Sequence, residues 1–360
     1  VNPLLTILRD PTRLGHINPA QWDLLLRTAR RARLLGHLDR LVREAGLAHT
    51  SPPEARVQLE AFGAHAAYLA TQARWEIHQV HRVLGPAGVP VMLLKGAAYL
   101  KLGLPVAHRR VLSDVDLLVP KEQLRSAEQL LLDAGWEPQK LNPYDQRYYR
   151  NWMHELPPLR RRGHSLELDL HHNLLPPSGR LQPDPQRLWR EADALGDGLW
   201  CPCPTDLLLH SAAHLFEAGD LQGGLRDLVD IQGLLLAFAP QRDFCRNLVP
   251  RAQELDLVRP LGYALDCARL LLHAPVPAEM LEALRRAGAH SPTASLTRRL
   301  MLRVLAPRAP EQGAPPLASL LLYMRSHWLR MPPSLLLRHL TRKAVRRSTA
   351  ADGTLPRELM

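Results

Sequence analysis

Residues 91–119 read VMLLKGAAYLKLGLPVAHRRVLSDVDLLV, and this stretch decides the fold. An apolar run ends in Lys95-Gly96 and opens a short helical pattern; eighteen residues after Gly96 a second apolar segment begins with Asp114-Val115-Asp116. Strand side chains alternate faces, so the two aspartates point the same way. At a separation of about 5 Å and an effective dielectric of about 20, two carboxylates repel by about 3 kcal/mol. The neighbours Leu117, Leu118 and Val119 do nothing to offset that cost. A cation between the aspartates, with a phosphate for it to hold, is the expectation.

The rest of the chain frames this segment. With 360 residues and 46% hydrophobic content, it is long enough to bury a sizeable core and to divide into two or three units. Its longest apolar blocks, such as residues 234–239, are too short to cross a bilayer. Asn2-Pro3 and Arg9-Asp10 interrupt any N-terminal apolar run, so no signal peptide is expected. Cys201, Cys203, Cys245 and Cys267 lack zinc-ligand spacing and read as reduced thiols of a cytoplasmic protein. The net charge of +11 raises nucleic acid as a partner. However, the charge is almost all arginine, it is spread along the chain, and aromatics are only 5%. Without an interleaved stacking set, a nucleic-acid partner is disfavoured.

Periodicity divides the chain into a helical region over 1–85, a core unit over 86–175, a Pro-rich linker over 176–204, a helical region over 205–347 and a disordered tail over 348–360. One helix is expected from Asn18-Pro19 to about residue 41 or 42. A long one follows, with Ser51 as cap and Pro52 at its first position. In the core unit the pattern predicts strands over 89–94 and 115–119, helices over 96–102 and 121–134, and a hairpin pairing 152–159 with 164–171 through a turn at 160–163. Thr205 is the expected cap of the helix over 206–217. The segment 317–347 is helical in pattern and cationic, and its apolar block 334–337 suits contact with a membrane surface or a partner protein. The fold class is α+β: a small mixed sheet flanked by N- and C-terminal helical regions.

Three elements carry the chemistry. At the strand-to-helix junction, free backbone N–H groups and the absence of a side chain at Gly96 suit close approach of a phosphate, with Lys95 as a point charge. Asp114 and Asp116 suit Mg²⁺, which takes few carboxylates and keeps positions for water and phosphate oxygens. The third element is Glu167-Leu168-Asp169-Leu170-His171. Alternation puts Glu167, Asp169 and His171 on one face, so a strand beside Asp114 would bring a third carboxylate to the metal. Arg110 reads as a salt-bridge or phosphate-contacting residue, and Arg109 as solvent-facing. His210 and His214 have i,i+4 spacing but no intervening zincin glutamate, which favours core or substrate-facing histidines. Arg226 and Asp230 form either an i,i+4 ion pair or part of a cleft wall.

These motifs resemble the nucleotidyltransferase superfamily that includes DNA polymerase β and the aminoglycoside nucleotidyltransferases. More closely, the chain resembles a bacterial family described as uncharacterised nucleotidyltransferases. The resemblance is carried by residues 94–98, Arg110, residues 114–119 and the strand 168–171, within a span of about 20–300. It implies a nucleotidyltransferase core over 86–175 and transfer of a nucleoside monophosphate from an NTP, with ATP favoured, to an unknown hydroxyl-bearing acceptor with release of pyrophosphate. It implies Asp114, Asp116 and Asp169 as metal-binding catalytic residues for Mg²⁺ or Mn²⁺, with Glu167 as substitute for Asp169. Lys95, Gly96, Arg110 and Ser113 would bind phosphate, with His171, Arg226 and Asp230 behind them. The wider superfamily carries Gly-Ser or Gly-Gly where this chain has Lys95-Gly96-Ala97, which leaves Lys95 to replace a serine's phosphate contact. Two other readings stand beside this one: a non-catalytic nucleotide-binding or antitoxin-like regulatory module, and an accessory protein of a peptide or polysaccharide biosynthetic pathway.

Overall fold

The computed structural model describes residues 2–49, 51–140, 143–217, 221–241 and 243–330. The expected disordered tail and the apolar block at 334–337 lie outside the described residues. The chain opens with α1 (Pro3–Arg9), α2 (Pro19–Arg31), α3 (Leu35–Glu44) and the 32-residue α4 (Pro53–Leu84). Asn18 caps α2 through a reciprocal pair with Gln21, which satisfies two backbone donors of the first turn. The single helix expected from residue 18 to about 42 is two helices, because Arg33 takes a left-handed backbone (φ 58°) between them. Ser51 does not cap α4: its hydroxyl donates to the Leu47 carbonyl, Pro52 is the cap residue and the helix begins at Pro53. The apolar stripe of α4 is buried at Leu59, Ala66, Leu69, Ala73, Ile77, Val80 and Leu84, while Val57 is exposed.

Next come β1 (Val91–Leu93), α5 (Lys95–Lys101), β2 (Asp114–Leu118), α6 (Leu124–Asp133), β3 (Trp136–Pro138), α7 (Pro143–Trp152), β4 (Leu159–Arg161) and β5 (Glu167–His171). The hairpin exists, but its register differs from expectation. Trp152 belongs to α7, Leu159 faces Leu168, and Glu155 bridges His171. A turn at 160–163 would instead have set residue 159 against 164. The segment expected as a linker carries α8 (Pro185–Arg190), β6 (Asp193–Gly196) and β7 (Leu199–Cys201). The result is one seven-stranded mixed sheet in the order β3-β4-β5-β2-β1-β7-β6.

Helices α9 (Pro204–Glu217), α10 (Leu225–Phe238), α11 (Phe244–Glu254), α12 (Val258–Leu272), α13 (Ala278–Arg286), α14 (Pro292–Leu305) and α15 (Pro316–Arg330) complete the described chain. Helix α9 starts one residue before Thr205, so Thr205 lies inside it rather than capping it. Helix α4 packs on α5, α6 and β2, and α9 on α5, α10, α11 and α12. Helix α4 thus lies against the sheet, α9 meets it by way of α5, which packs on β2, and one apolar core runs from Leu4 to Leu322. The four cysteines are free thiols. No described helix is long and apolar enough to cross a membrane.

Candidate functional site

Strands β2 and β5 are parallel neighbours, with Asp114 opposite Glu167, Asp116 opposite Asp169 and Leu118 opposite His171. Directly opposed residues share a face, and alternate residues along a strand do too. Asp114, Asp116, Glu167 and Asp169 therefore stand on one face, while Val115, Leu117, Leu168 and Leu170 are fully buried on the other. The aspartate pair and the later carboxylates that the sequence singled out do come side by side.

The two central carboxylates have opposite surroundings. Asp116 is 5% exposed, and its Oδ1 accepts from Lys95 Nζ at 3.0 Å and faces His171 Nε2 at 3.1 Å. Burial opposes its charge, but Lys95 and His171 hold it well below the usual carboxylate range. Across the strand pair, Asp169 Oδ1 is buried without a hydrogen-bond partner. Burial, together with the Asp116 charge, pushes the Asp169 carboxyl up to about 7. Asp114 is half-buried and accepts from Ser113 Oγ at 3.1 Å.

The residues expected to contact phosphate are mostly engaged within the protein. Lys95 enters α5 with a left-handed backbone (φ 41°), a conformation that costs a side-chain-bearing residue of order 1–3 kcal/mol and persists only where the surroundings fix it. Burial works against its charge, but the Asp116 carboxylate outweighs this and raises its pKa. Arg110 Nε donates to Asp230 Oδ2 at 2.9 Å in a buried pair. A Cβ on Gly96 would come within 2.5 Å of both Arg110 Nη1 and Leu112 Cδ2. The space beside Gly96 is thus filled by the Arg110 and Leu112 side chains, and of the two readings of Arg110, salt bridge or phosphate contact, the structure shows the salt bridge. Arg109, expected to face solvent, instead pairs with Asp39 and lies against Gly63. The i,i+4 pair of Arg226 with Asp230 does not form: Arg226 reaches Asp227 at 3.3 Å, and Asp230 takes Arg110.

One cavity adjoins this face, and a second adjoins the first. The smaller, about 60 Å³, is lined by residues including Lys95, Asp114, Asp116, His214, Arg226 and Asp230. The larger, about 340 Å³, shares Arg226 and Asp227 with it and adds Arg31, Arg33 and Arg308. The first has room for a phosphate-sized group; the second approaches the size of a small-ligand pocket. His214 is held neutral, down to about 3, by Lys95 first and by burial second. His210 is buried, and burial keeps its pKa well below the ordinary histidine value.

His171 is the neighbour of Asp116. Its other ring nitrogen, Nδ1, faces Glu155 Oε2 at 3.5 Å, and His154 Nε2 faces the same oxygen at 3.8 Å. Ligand atoms of His154, Glu155 and His171 lie within 4.8 Å of one another, the one such trio found among the described residues. Sequence reasoning missed His154 and Glu155. Their adjacency before Leu156-Pro157-Pro158 matches no metal spacing, and only the true register of the β4–β5 hairpin, with Glu155 opposite His171, would have revealed them.

The aspartate face offers hard-oxygen donors on parallel neighbouring strands, and Asp169 Oδ1 is a buried acceptor with nothing to accept from, but among the described residues no three of these carboxylates have ligand atoms all within 4.8 Å of one another. No curated protein and no solved structure matches the chain. The sequence profile of the uncharacterised nucleotidyltransferases matches residues 18–273, which takes in the β2–β5 face, both helical flanks as far as α12, and every residue of the site except the cavity wall beyond α12. The chain therefore belongs to the uncharacterised nucleotidyltransferase family.

Proposed function

We propose that this protein transfers a nucleoside monophosphate from an NTP, with ATP the favoured donor, to a hydroxyl of a small or macromolecular acceptor. The observation that carries the reading is the parallel register that sets Asp116 beside Asp169, the first with Lys95 and His171 on its Oδ1 and the second with a buried Oδ1 that has no partner. Asp114, Asp116 and Asp169 would hold Mg²⁺ or Mn²⁺, with Glu167 at the edge of the same face. When bound, the cation would link their oxygens to the triphosphate and offset the charge that develops on the departing pyrophosphate.

The chain's own residues supply the rest. Asp169, poised near neutrality, accepts the proton of the acceptor hydroxyl, since a general base works best with a pKa near the operating pH. The freed oxygen forms its bond to the α-phosphorus as the bond to the β-phosphate oxygen breaks, and pyrophosphate leaves. Lys95 and Arg226 line the small cavity and give positive charge where phosphates would lie. Arg110, fixed by Asp230, shapes the wall behind Gly96. The polyphosphate would extend from the small cavity into the larger one, toward Arg31, Arg33 and Arg308. The free thiols accord with a cytoplasmic location.

The test is incubation with each α-labelled NTP and Mg²⁺ against candidate acceptors, using the wild type, Asp114→Asn and Asp169→Asn. Loss of several kcal/mol of transition-state stabilisation predicts a drop in transfer on the order of a thousandfold in either variant. Equal transfer by wild type and both variants would sink the assignment. NTP binding without transfer to any acceptor would favour the regulatory module, for which the Lys95–Asp116 pairing is the structural argument.

A further inference from the structure

Next to the aspartate face stands a group of donors of different chemistry. His154 and Glu155 lie between α7 and β4, on a segment stitched to β5: Leu156 N donates to Leu170 O at 2.9 Å, and His172 N to His154 O at 2.8 Å. This fixes the backbone that carries both side chains against the strand that carries His171.

His171 is 1% exposed, and its Nδ1 has no hydrogen-bond partner. Asp116 Oδ1 is a carboxylate oxygen and can only accept, so the 3.1 Å contact requires the proton on His171 Nε2. That leaves Nδ1 facing Glu155 Oε2 at 3.5 Å, with no hydrogen bond between them. A charge-assisted N–H···O bond would draw the atoms to about 2.8 Å. Donors 2.0–2.1 Å from a tetrahedral zinc lie roughly 3.3 Å apart. The separations of 3.5 Å and 3.8 Å that His171 and His154 make with Glu155 Oε2 approach the second figure.

We propose that His154, Glu155 and His171 form a zinc site, with Asp116 as the carboxylate that orients His171. Two imidazoles and one carboxylate make a borderline donor set that suits Zn²⁺, unlike the all-oxygen face beside it, which suits Mg²⁺. Asp116, hydrogen-bonded to the far nitrogen of a metal-facing histidine, is the arrangement that fixes tautomer and ring angle in many zinc sites. His154 and Glu155 are only partly buried, so a fourth ligand could come from solvent. Because Asp116 belongs to both groups, zinc occupancy would set the orientation of the carboxylate used on the magnesium side.

The experiment uses the full chain stripped with chelator, without nucleotide, and titrates Co²⁺ as the spectroscopic substitute for Zn²⁺ in millimolar Mg²⁺, which occupies the aspartate face. Expected are one equivalent of Co²⁺ with visible bands of low-coordinate, nitrogen-ligated cobalt, displacement by Zn²⁺, and resistance to millimolar Mg²⁺. His154→Ala and Glu155→Gln, both at half-buried positions, should each weaken Co²⁺ by more than a hundredfold while leaving the far-ultraviolet dichroism unchanged. Asp116→Asn should weaken it about 10–100-fold, and Asp114→Asn should bind it as the wild type does. No bound Co²⁺, displacement by Mg²⁺, or wild-type binding by His154→Ala and Glu155→Gln would each overturn the proposal. Since the readout needs no NTP and survives Asp114→Asn, its failure is distinguishable from failure of the transferase reading.

Discussion

Two buried aspartates show how differently this fold treats the same group. Asp206, at the start of α9, is 0% exposed and is clamped by Arg251 through two bonds, Nε to Oδ1 at 2.8 Å and Nη2 to Oδ2 at 2.7 Å. The guanidinium is then completed by Glu254 and the Arg187 carbonyl. That network is closed: both carboxylate oxygens are filled, and it ties α8, α9 and α11 together. Asp169, on β5, lies on a sheet face with Asp116 opposite it and one oxygen unsatisfied. A closed network stabilises and leaves nothing for a ligand, whereas an open one costs stability and is poised to accept a partner. The contrast locates the site more sharply than the presence of acidic residues alone.

The largest effect should come from opening the closed network. Arg251→Ala leaves the Asp206 charge buried and unpaired, and is expected to destabilise the protein by about 4 kcal/mol in urea unfolding; a loss under about 1 kcal/mol would show that Asp206 is not dependent on its clamp. Next comes crowding the Arg110–Asp230 pair, which forms a wall of the site. Gly96→Ala places a Cβ within 2.5 Å of Arg110 and Leu112 and should cost about 2–3 kcal/mol by overpacking. Unchanged thermal stability in that variant would mean that Arg110 moves aside freely.

The smallest effect has the opposite sign. The Asp169 carboxyl titrates near 7 in the folded chain and near 3.9 when unfolded. The folded state therefore binds more protons between those values, and metal-free wild type should lose stability as pH rises from about 4 to about 7. Asp169→Asn removes that loss and should be the more stable protein at pH 8, by about 2 kcal/mol after allowance for partial exposure, with the gap closing toward pH 4. Denaturant melts in chelator across that range measure it. A variant less stable than wild type at pH 8 would show that Asp169 has a partner and that the contrast with Asp206 is false.

Much of this was legible in local sequence. The apolar run into Lys95-Gly96, the Asp-x-Asp strand and the alternation of residues 167–171 located β1 and β2 to within two residues and β5 to within three, because side-chain period and flanking breakers act over a few residues. Helix boundaries were less legible. Arg33 breaks the helix after Asn18 with a left-handed backbone that no glycine announces. Strands β6 and β7 were hidden within a stretch dominated by proline, since β7 is a strand through its pairing with β1.

The aspartates, the lysine and the motif that ties them to a transferase family are properties of the chain itself: they depend on residue type and spacing. Which carboxylate is saturated and which is bare could not be read there. Lys95 meets Asp116 from 21 residues away, His171 from 55, and His154 and Glu155 join them only because the β4–β5 hairpin adopts a register that the sequence left open. Register fixes every cross-strand neighbour at once, and hydrogen-bond satisfaction is a property of neighbours. Composition and period thus fixed which side chains the strands carry, and long-range pairing decided which of them find partners and which are left without.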